Sequence, residues 1–180
     1  MNKPIKPKKC KICREVFTPF RPLHICCSLG CAIEYAQKNR QAKERKELRD
    51  AKEKAKTRAQ WMKEAQAVFN SYIRKRDEGL PCISCGSVNR SAWDAGHFRT
   101  TAAAPELRFN EKNVHRQCVQ CNQHQHGNLL EYRIGLVKRI GSESVEWLEG
   151  THDPKKYTID DLKSIKATYK AKLKELENGS

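Results

Sequence analysis

Apolar residues recur at helical spacing in three stretches of this chain and are nearly absent from a fourth. Trp61, Ala65, Val68, Phe69, Tyr72 and Ile73 fall three and four apart, so the spacing predicts an amphipathic helix that stops at Gly79-Leu80-Pro81. Side chains this large read as core rather than as a ligand-binding stripe. Leu129, Leu130, Ile134, Val137 and Ile140 predict a second helix, capped by Asn128 and ended by Gly141, and Ser142–Leu148 a short third. Thr158 should cap a last helix with Leu162, Ile165, Tyr169, Leu173 and Leu176 on one face. That face suits packing against its own domain or, alternatively, a short coiled-coil seam between two copies. Residues 32–60 differ. They are rich in Ala, Lys, Arg and Glu and lack Gly and Pro, which reads as a helix about 44 Å long. Asp50/Lys54 and Glu53/Lys56 are spaced to pair on it. With almost no apolar stripe it can bury little, and is an arm, a linker or a helix that orders on DNA.

Charge sharpens this division. The net charge is +15, and residues 1–60 hold 17 basic against 6 acidic side chains, leaving little excess for the remainder. A polyanion is the natural partner, nucleic acid first, although charge alone does not separate DNA from RNA or from a merely soluble surface. No run reaches the roughly 18–20 apolar residues of a membrane helix, and the N-terminus lacks the apolar stretch of a signal peptide. The expectation is a cytoplasmic protein, where thiols stay reduced and paired cysteines imply metal rather than disulfides.

There are nine cysteines. Cys82-Ile83-Ser84-Cys85-Gly86 and Cys118-Val119-Gln120-Cys121 form two CxxC pairs, 32 residues apart. Each knuckle places two thiolates on one turn, and two knuckles complete the closed tetrahedron of a structural zinc site. Gly86 supplies the permissive backbone that such a turn needs. Cys10, Cys13, Cys27 and Cys31 read as a second zinc site, with Cys26 and His24 as spare ligands beside it. Lys8, Lys9, Lys11 and Arg14 surround that module and give it the look of a DNA-contacting finger.

Between and after the later knuckles lie Asp94, Gly96, His97, Asn113, His115, Asn122, His124 and His126, with Trp93 and Phe98 bracketing a short strand. Gly96-His97, Asn113 and Cys118–Asn122 resemble HNH endonucleases built on a zinc-knuckle scaffold. The segments Cys82–Gly86, Trp93–His97, Thr100–Pro105, Leu107–Glu111 and Cys118–His124 more closely resemble the NinG (Rap) recombination proteins of lambdoid phages, and the layout follows that family over nearly the whole chain. The resemblance implies an α+β, mostly helical protein. It would have a small zinc-stabilised ββα-metal (HNH-like) nuclease core, an N-terminal zinc-finger module (1–31), a long basic helix (32–60) and a nuclease domain with C-terminal helices (61–180). It implies hydrolysis of branched DNA, D-loops and Holliday junctions, in recombination, with other recombination proteins as possible partners.

The same resemblance assigns roles. His97 matches the base, Asn113 the residue that orients the base's loop, and Asn122 a ligand of a catalytic Mg²⁺ or Mn²⁺. A histidine suits the first role because its pKa lies near neutrality, and an amide oxygen suits a hard cation. Gly96 departs from the pattern, which often has a metal ligand there. Asp94, His115 or His124 could substitute, although strand alternation puts Asp94 and His97 on opposite faces. His126 and His152 read as surface histidines. Arg99, Arg108 and Arg116, with Lys112 and Arg133, are candidate phosphate contacts. The alternative function is a non-catalytic, zinc-bearing DNA-binding accessory protein. A homodimer is an expectation from the symmetry of a four-way junction.

Overall fold

The computed structural model describes residues 6–179 and divides into two compact units, Met1–Lys56 and Thr57–Ser180. The first unit opens with two short antiparallel strands, β1 (Lys8–Lys9) and β2 (Val16–Phe17), paired Lys8 to Phe17. It continues into helix α1 (Leu29–Lys54), whose start is capped by the Ser28 hydroxyl accepting from the Cys31 N–H. No residue of α1 is buried. Its side chains are held by local ion pairs such as Glu34–Lys38 at 2.7 Å and Glu53–Lys56 at 2.6 Å. Asp50 lies 3.7 Å from Arg49.

The expected single helix over 32–60 is in fact two. α1 ends at Lys54, and α2 (Arg58–Arg76) begins after a break with its own capping box, in which Thr57 and Gln60 each bond the other's backbone N–H. Composition alone hid that break, because the residues there are all tolerated in a helix and only the Thr57/Gln60 pair marks a start.

The second unit carries the core. α2 buries Trp61, Ala65, Phe69, Tyr72 and Ile73, as the spacing predicted. It packs against α5 (Ile159–Asn178), whose Leu162, Ile165, Tyr169, Leu173 and Leu176 close on it. The α5 stripe is therefore occupied within its own unit. Thr158 caps α5 in a second capping box, with Asp161. β3 (Trp93–His97) and β4 (Val114–Cys118) form an antiparallel ribbon in the register His97 to Val114 and Trp93 to Cys118. Ala95 and Val114 pack into the α2–α5 cluster. A π-helical turn (Gln120–His124) follows β4 directly.

α3 (Leu129–Ile140) and α4 (Ser142–Glu149) build a second cluster around Tyr132, Leu136, Val145 and Leu148 with Phe98 and Leu107. The predicted helix forms, but its apolar residues divide between two faces. Leu129, Leu130 and Ile134 are exposed, and Tyr132 and Leu136 are the buried pair, joined by the half-buried Val137 and Ile140. Asn128 stands at the start of α3 but in a left-handed conformation, with no capping bond to the helix. Among the described residues, no helix is long and apolar enough to cross a membrane.

Candidate functional site

The two cysteine quartets form as spaced. The thiol sulfurs of Cys82, Cys85, Cys118 and Cys121 lie within 4.8 Å of one another, and so do those of Cys10, Cys13, Cys27 and Cys31. A tetrahedral zinc with sulfurs at about 2.3 Å needs sulfur separations of about 3.8 Å. Cys85 and Cys118 are 3.9 Å apart, Cys13 and Cys27 3.5 Å, and Cys27 and Cys31 3.7 Å. Each quartet could hold a zinc ion. Cys27, not Cys26 or His24, completes the first.

In the second quartet Gly86 has φ +70°, and its N–H closes the knuckle on the Cys82 carbonyl at 3.0 Å. The Cys118 and Cys121 N–H groups point at the Cys82 and Cys118 sulfurs, at 3.4 and 3.5 Å. The Asn128 amide, released from helix capping, donates to the Cys121 sulfur at 3.7 Å. Burial raises the Cys85 thiol, but the Ser87 N–H and the neighbouring thiols outweigh it and pull the pKa down to about 7. Burial and the thiols of Cys118 and Cys85 push Cys121 up to about 12, against the Asn128 amide. Four crowded thiolates cannot all ionise without a cation among them, so the donor set fits zinc.

Beside this knuckle lies a cleft of about 350 Å³ lined by Ala95, His97, Thr100, Thr101, Asn122, His126, Gly127 and Leu129. His97 ends β3, and its Nε2 lies 3.0 Å from the Arg108 carbonyl. A carbonyl only accepts, so Nε2 carries the hydrogen and Nδ1 is the basic nitrogen. Burial holds His97 below the usual histidine value, partly offset by that carbonyl, which keeps the imidazole neutral near pH 7.

Asn113, fully buried, ties the loop after His97 to the start of β4. Its Oδ1 accepts from the Arg99 N–H at 2.8 Å, and its Nδ2 donates to the Arg99 carbonyl at 3.0 Å and the Leu107 carbonyl at 3.2 Å. Asn122, on the π-helical turn, donates Nδ2 to Asp94 at 2.8 Å, as does Gln123 Nε2. Asp94 thus reaches Asn122 across the ribbon, although it lies outside the lining shared by His97 and Asn122. His124 is exposed and does not line the cleft. Among the described residues, the two cysteine quartets are the only groups of three or more His, Cys, Asp or Glu close enough to share an ion.

Gly96 has a steric cause. A Cβ there would stand 2.1 Å from Gln117 Oε1 and 3.0 Å from Gln117 Cβ. Gln117 is completely buried and spans the site, donating Nε2 to the Ser84 hydroxyl at 2.7 Å and to the Gly127 carbonyl at 2.6 Å. The residue that spacing suggested for a metal ligand is instead where the neighbouring strand's side chain crosses. Gln117 carried no signal in the sequence, since a glutamine between an arginine and a cysteine marks nothing.

His126, read as a surface histidine, is exposed and also lines the cleft. It opens a run of three left-handed residues, with φ 49° at His126, 89° at Gly127 and 43° at Asn128. Two of the three are not glycine, so the turn is held in a strained form by its surroundings. His115 is not in the cleft. It is buried against Asp77 at 3.5 Å and accepts from Arg76 at 3.1 Å. Asp77, which sequence reasoning missed, gathers Arg76, His115 and the Arg116 N–H, and these hold its carboxyl below the usual range despite burial. His152 packs on Trp147, with ring centroids 4.4 Å apart.

The three arginines near the cleft are engaged in the fold. Arg99 donates to the carbonyls of Leu148 and Glu149, both at 3.0 Å, at the end of α4. Arg108 donates to Gln66 at 3.2 Å, and Arg116 lies over the Trp93 ring at 3.8 Å. Arg133 forms a two-pronged pair with Glu149, and Lys112 bonds Ser144. In the first unit Lys8, Lys9, Lys11 and Arg14 are all exposed.

Fold and site together define a small α+β protein with two tetracysteine clusters, each able to hold zinc, and an imidazole–amide cleft against the second. The family described as "Bacteriophage Lambda NinG protein" matches residues 1–179, and the chain belongs to it. "Protein ninG" of Escherichia phage lambda is 46% identical over 198 residues, covering 99% of this chain and 97% of that protein. The protein of the same name from Escherichia phage 933W is 45% identical over 196 residues, with the same coverage. That of Salmonella phage P22 is 44% identical, over 95% of this chain and 94% of its own length. No solved structure matches.

Proposed function

We propose that this protein is a divalent-metal-dependent endonuclease of HNH type that hydrolyses phosphodiester bonds in DNA. The observation that carries the reading is His97 lining the same cleft as Asn122, with Nε2 held by the Arg108 carbonyl so that Nδ1 is its basic nitrogen. Asn113 supports it by tying down the loop that follows His97. Two strands followed at once by a helical turn supply the ββα frame. Asn122 and Asp94 offer adjacent oxygen donors, which fit a hard cation such as Mg²⁺ or Mn²⁺. When bound, that ion supplies positive charge to the phosphate and to the leaving oxygen. His97 removes the proton of the attacking water at Nδ1. Branched recombination intermediates are the substrate class that the resemblance to NinG proteins implies.

The test is a panel of linear, flap, D-loop and four-way DNA with Mg²⁺, comparing wild type and His97→Ala. The substitution should abolish cleavage, a loss of about a hundredfold or more, while binding and zinc content stay. Full cleavage by the variant would sink the assignment. The base must be neutral, so activity is lost as pH falls through the lowered His97 value. The acid limb of the rate profile should therefore lie below the ordinary 6.5.

One observation favours the second reading, a zinc-bearing DNA-binding protein without catalysis. The arginines beside the cleft are spent within the fold, and Asp94 is already bonded to two amides. That reading predicts salt-sensitive binding of branched DNA and no cleavage with any divalent metal.

A further inference from the structure

Gln117 uses only half of its amide. Nε2 donates to the Ser84 hydroxyl and to the Gly127 carbonyl, whereas Oε1, on a completely buried side chain, has no hydrogen-bond partner among the described residues. The orientation of the amide is fixed. A carbonyl only accepts, so Gly127 requires the nitrogen on its side, and the oxygen is the free end. A buried acceptor without a donor is destabilising, and in a native fold it marks strain, a water or an ion. Position selects the ion. Oε1 stands against the place that a Cβ on Gly96 would take, the space that the side chain of a metal-ligating residue 96 would enter. Asp94 is paired directly across the ribbon from Gln117, so both side chains leave the ribbon on one face, which is also the face of residue 96. Asp94 is bonded to Asn122 on that face. The Gly127 carbonyl that holds Nε2 belongs to the lining of the cleft with His97 and Asn122, and the Gly127 N–H bonds the Asn122 carbonyl at 3.1 Å. An amide oxygen is a hard donor, as suited to Mg²⁺ or Mn²⁺ on Gln117 as on Asn122.

We propose that Gln117 Oε1 is a ligand of the divalent cation, delivered from β4 in place of the side chain that Gly96 lacks. Gly96 and Gln117 then act as one device. The glycine is bare because the oxygen that would otherwise hang from it arrives from the opposite strand. Ser84 and Gly127, by holding Nε2, aim that oxygen. This assignment rests on the nuclease reading, and it adds to Asp94 and Asn122 a third oxygen donor from a position outside the motif.

The experiment titrates the full-length, zinc-loaded protein with Mn²⁺, reading the free ion by electron paramagnetic resonance. Tb³⁺ bound at the site for which Mn²⁺ competes is read by its luminescence lifetimes in light and heavy water, which count the waters on the ion. Gln117→Met keeps an unbranched side chain and removes the hard oxygen. It should weaken Mn²⁺ by about tenfold or more and add one water to the bound Tb³⁺, with zinc content unchanged. Ser84→Ala removes one bond of Nε2 but leaves the oxygen, and should leave both readings at wild-type values. Gly96→Asp combined with Gln117→Ala returns an oxygen to residue 96 and should restore both readings. That double variant cannot remake the bonds to Ser84 and Gly127, so a merely structural role for Gln117 gives no such recovery. Wild-type affinity and hydration in Gln117→Met overturn the proposal, and the nuclease reading stands if His97→Ala still loses cleavage. A loss in Gln117→Met that the double variant does not recover also overturns it, since Gln117 then serves the fold alone. A wild type that neither holds Mn²⁺ nor cleaves DNA overturns the nuclease reading itself, and this assignment with it.

Discussion

At the residue scale, the informative positions are those where two side chains compete for one place. Gly96 and Gln117 are such a pair. Gly96→Ala would force Gln117 out of its bonds to Ser84 and Gly127, breaking the link between the first knuckle and the left-handed turn that carries His126. Overpacking of this kind costs about 1–3 kcal/mol. Urea unfolding should show that loss for Gly96→Ala in the wild type, and a much smaller further loss when Gly96→Ala is added to Gln117→Ala. An equal loss on both backgrounds would refute the clash. His97 and Asn113 were legible because their types and order follow a known pattern. Gln117 and Asp77 were not, because burial and partners give them their importance, and neither is visible in a chain.

At the scale of elements, periodicity served the helices unevenly. In α2 and α5 most of the large apolar positions lie on one face, and the two helices bury it against each other. Leu162, completely buried at the start of that contact, should cost about 2–5 kcal/mol when cut to alanine. A shift in the urea midpoint checks this, and a change below about 1 kcal/mol would mean that the helices pack more loosely than described. α3 misled because it has apolar residues on two faces. Tyr132, whose hydroxyl bonds the Gly96 carbonyl at 2.8 Å, and Leu136 win the core, leaving Leu129 and Leu130 outside. A helix with more apolar residues than one face can hold does not announce which face is inward. The 32–60 run misled in the other direction, since uninterrupted helix formers concealed the capped restart at Thr57.

At the scale of the whole molecule, two cysteine quartets that could each hold zinc stand where the apolar core is small. The second quartet joins two knuckles, and Cys82, Cys118 and Cys121 pack as a buried cluster with Trp93. Elemental analysis of purified protein should find two zinc ions per chain. Removing them with a strong chelator should lower the melting temperature and release the near-ultraviolet signal of Trp93. Zinc-free protein with an unchanged melt would show that the cysteines serve otherwise.

The sequence by itself determined the parts that depend on spacing along the chain: the second cysteine quartet, three ligands of the first, the α2 and α5 faces, the Thr158 cap and the family. Ligand geometry at CxxC and side-chain geometry at helical intervals are local, so neighbours in sequence suffice. Only the tertiary structure decided which of Cys26 and Cys27 completes the first quartet, which face of α3 is buried, and that Gly96 makes room for Gln117. It also placed His126, and not His124, in the cleft with His97, and committed Arg99, Arg108 and Arg116 to the fold. Those outcomes turn on which groups meet across the chain, where sub-ångström clearances and the need to satisfy buried polar atoms choose among residues of equal promise.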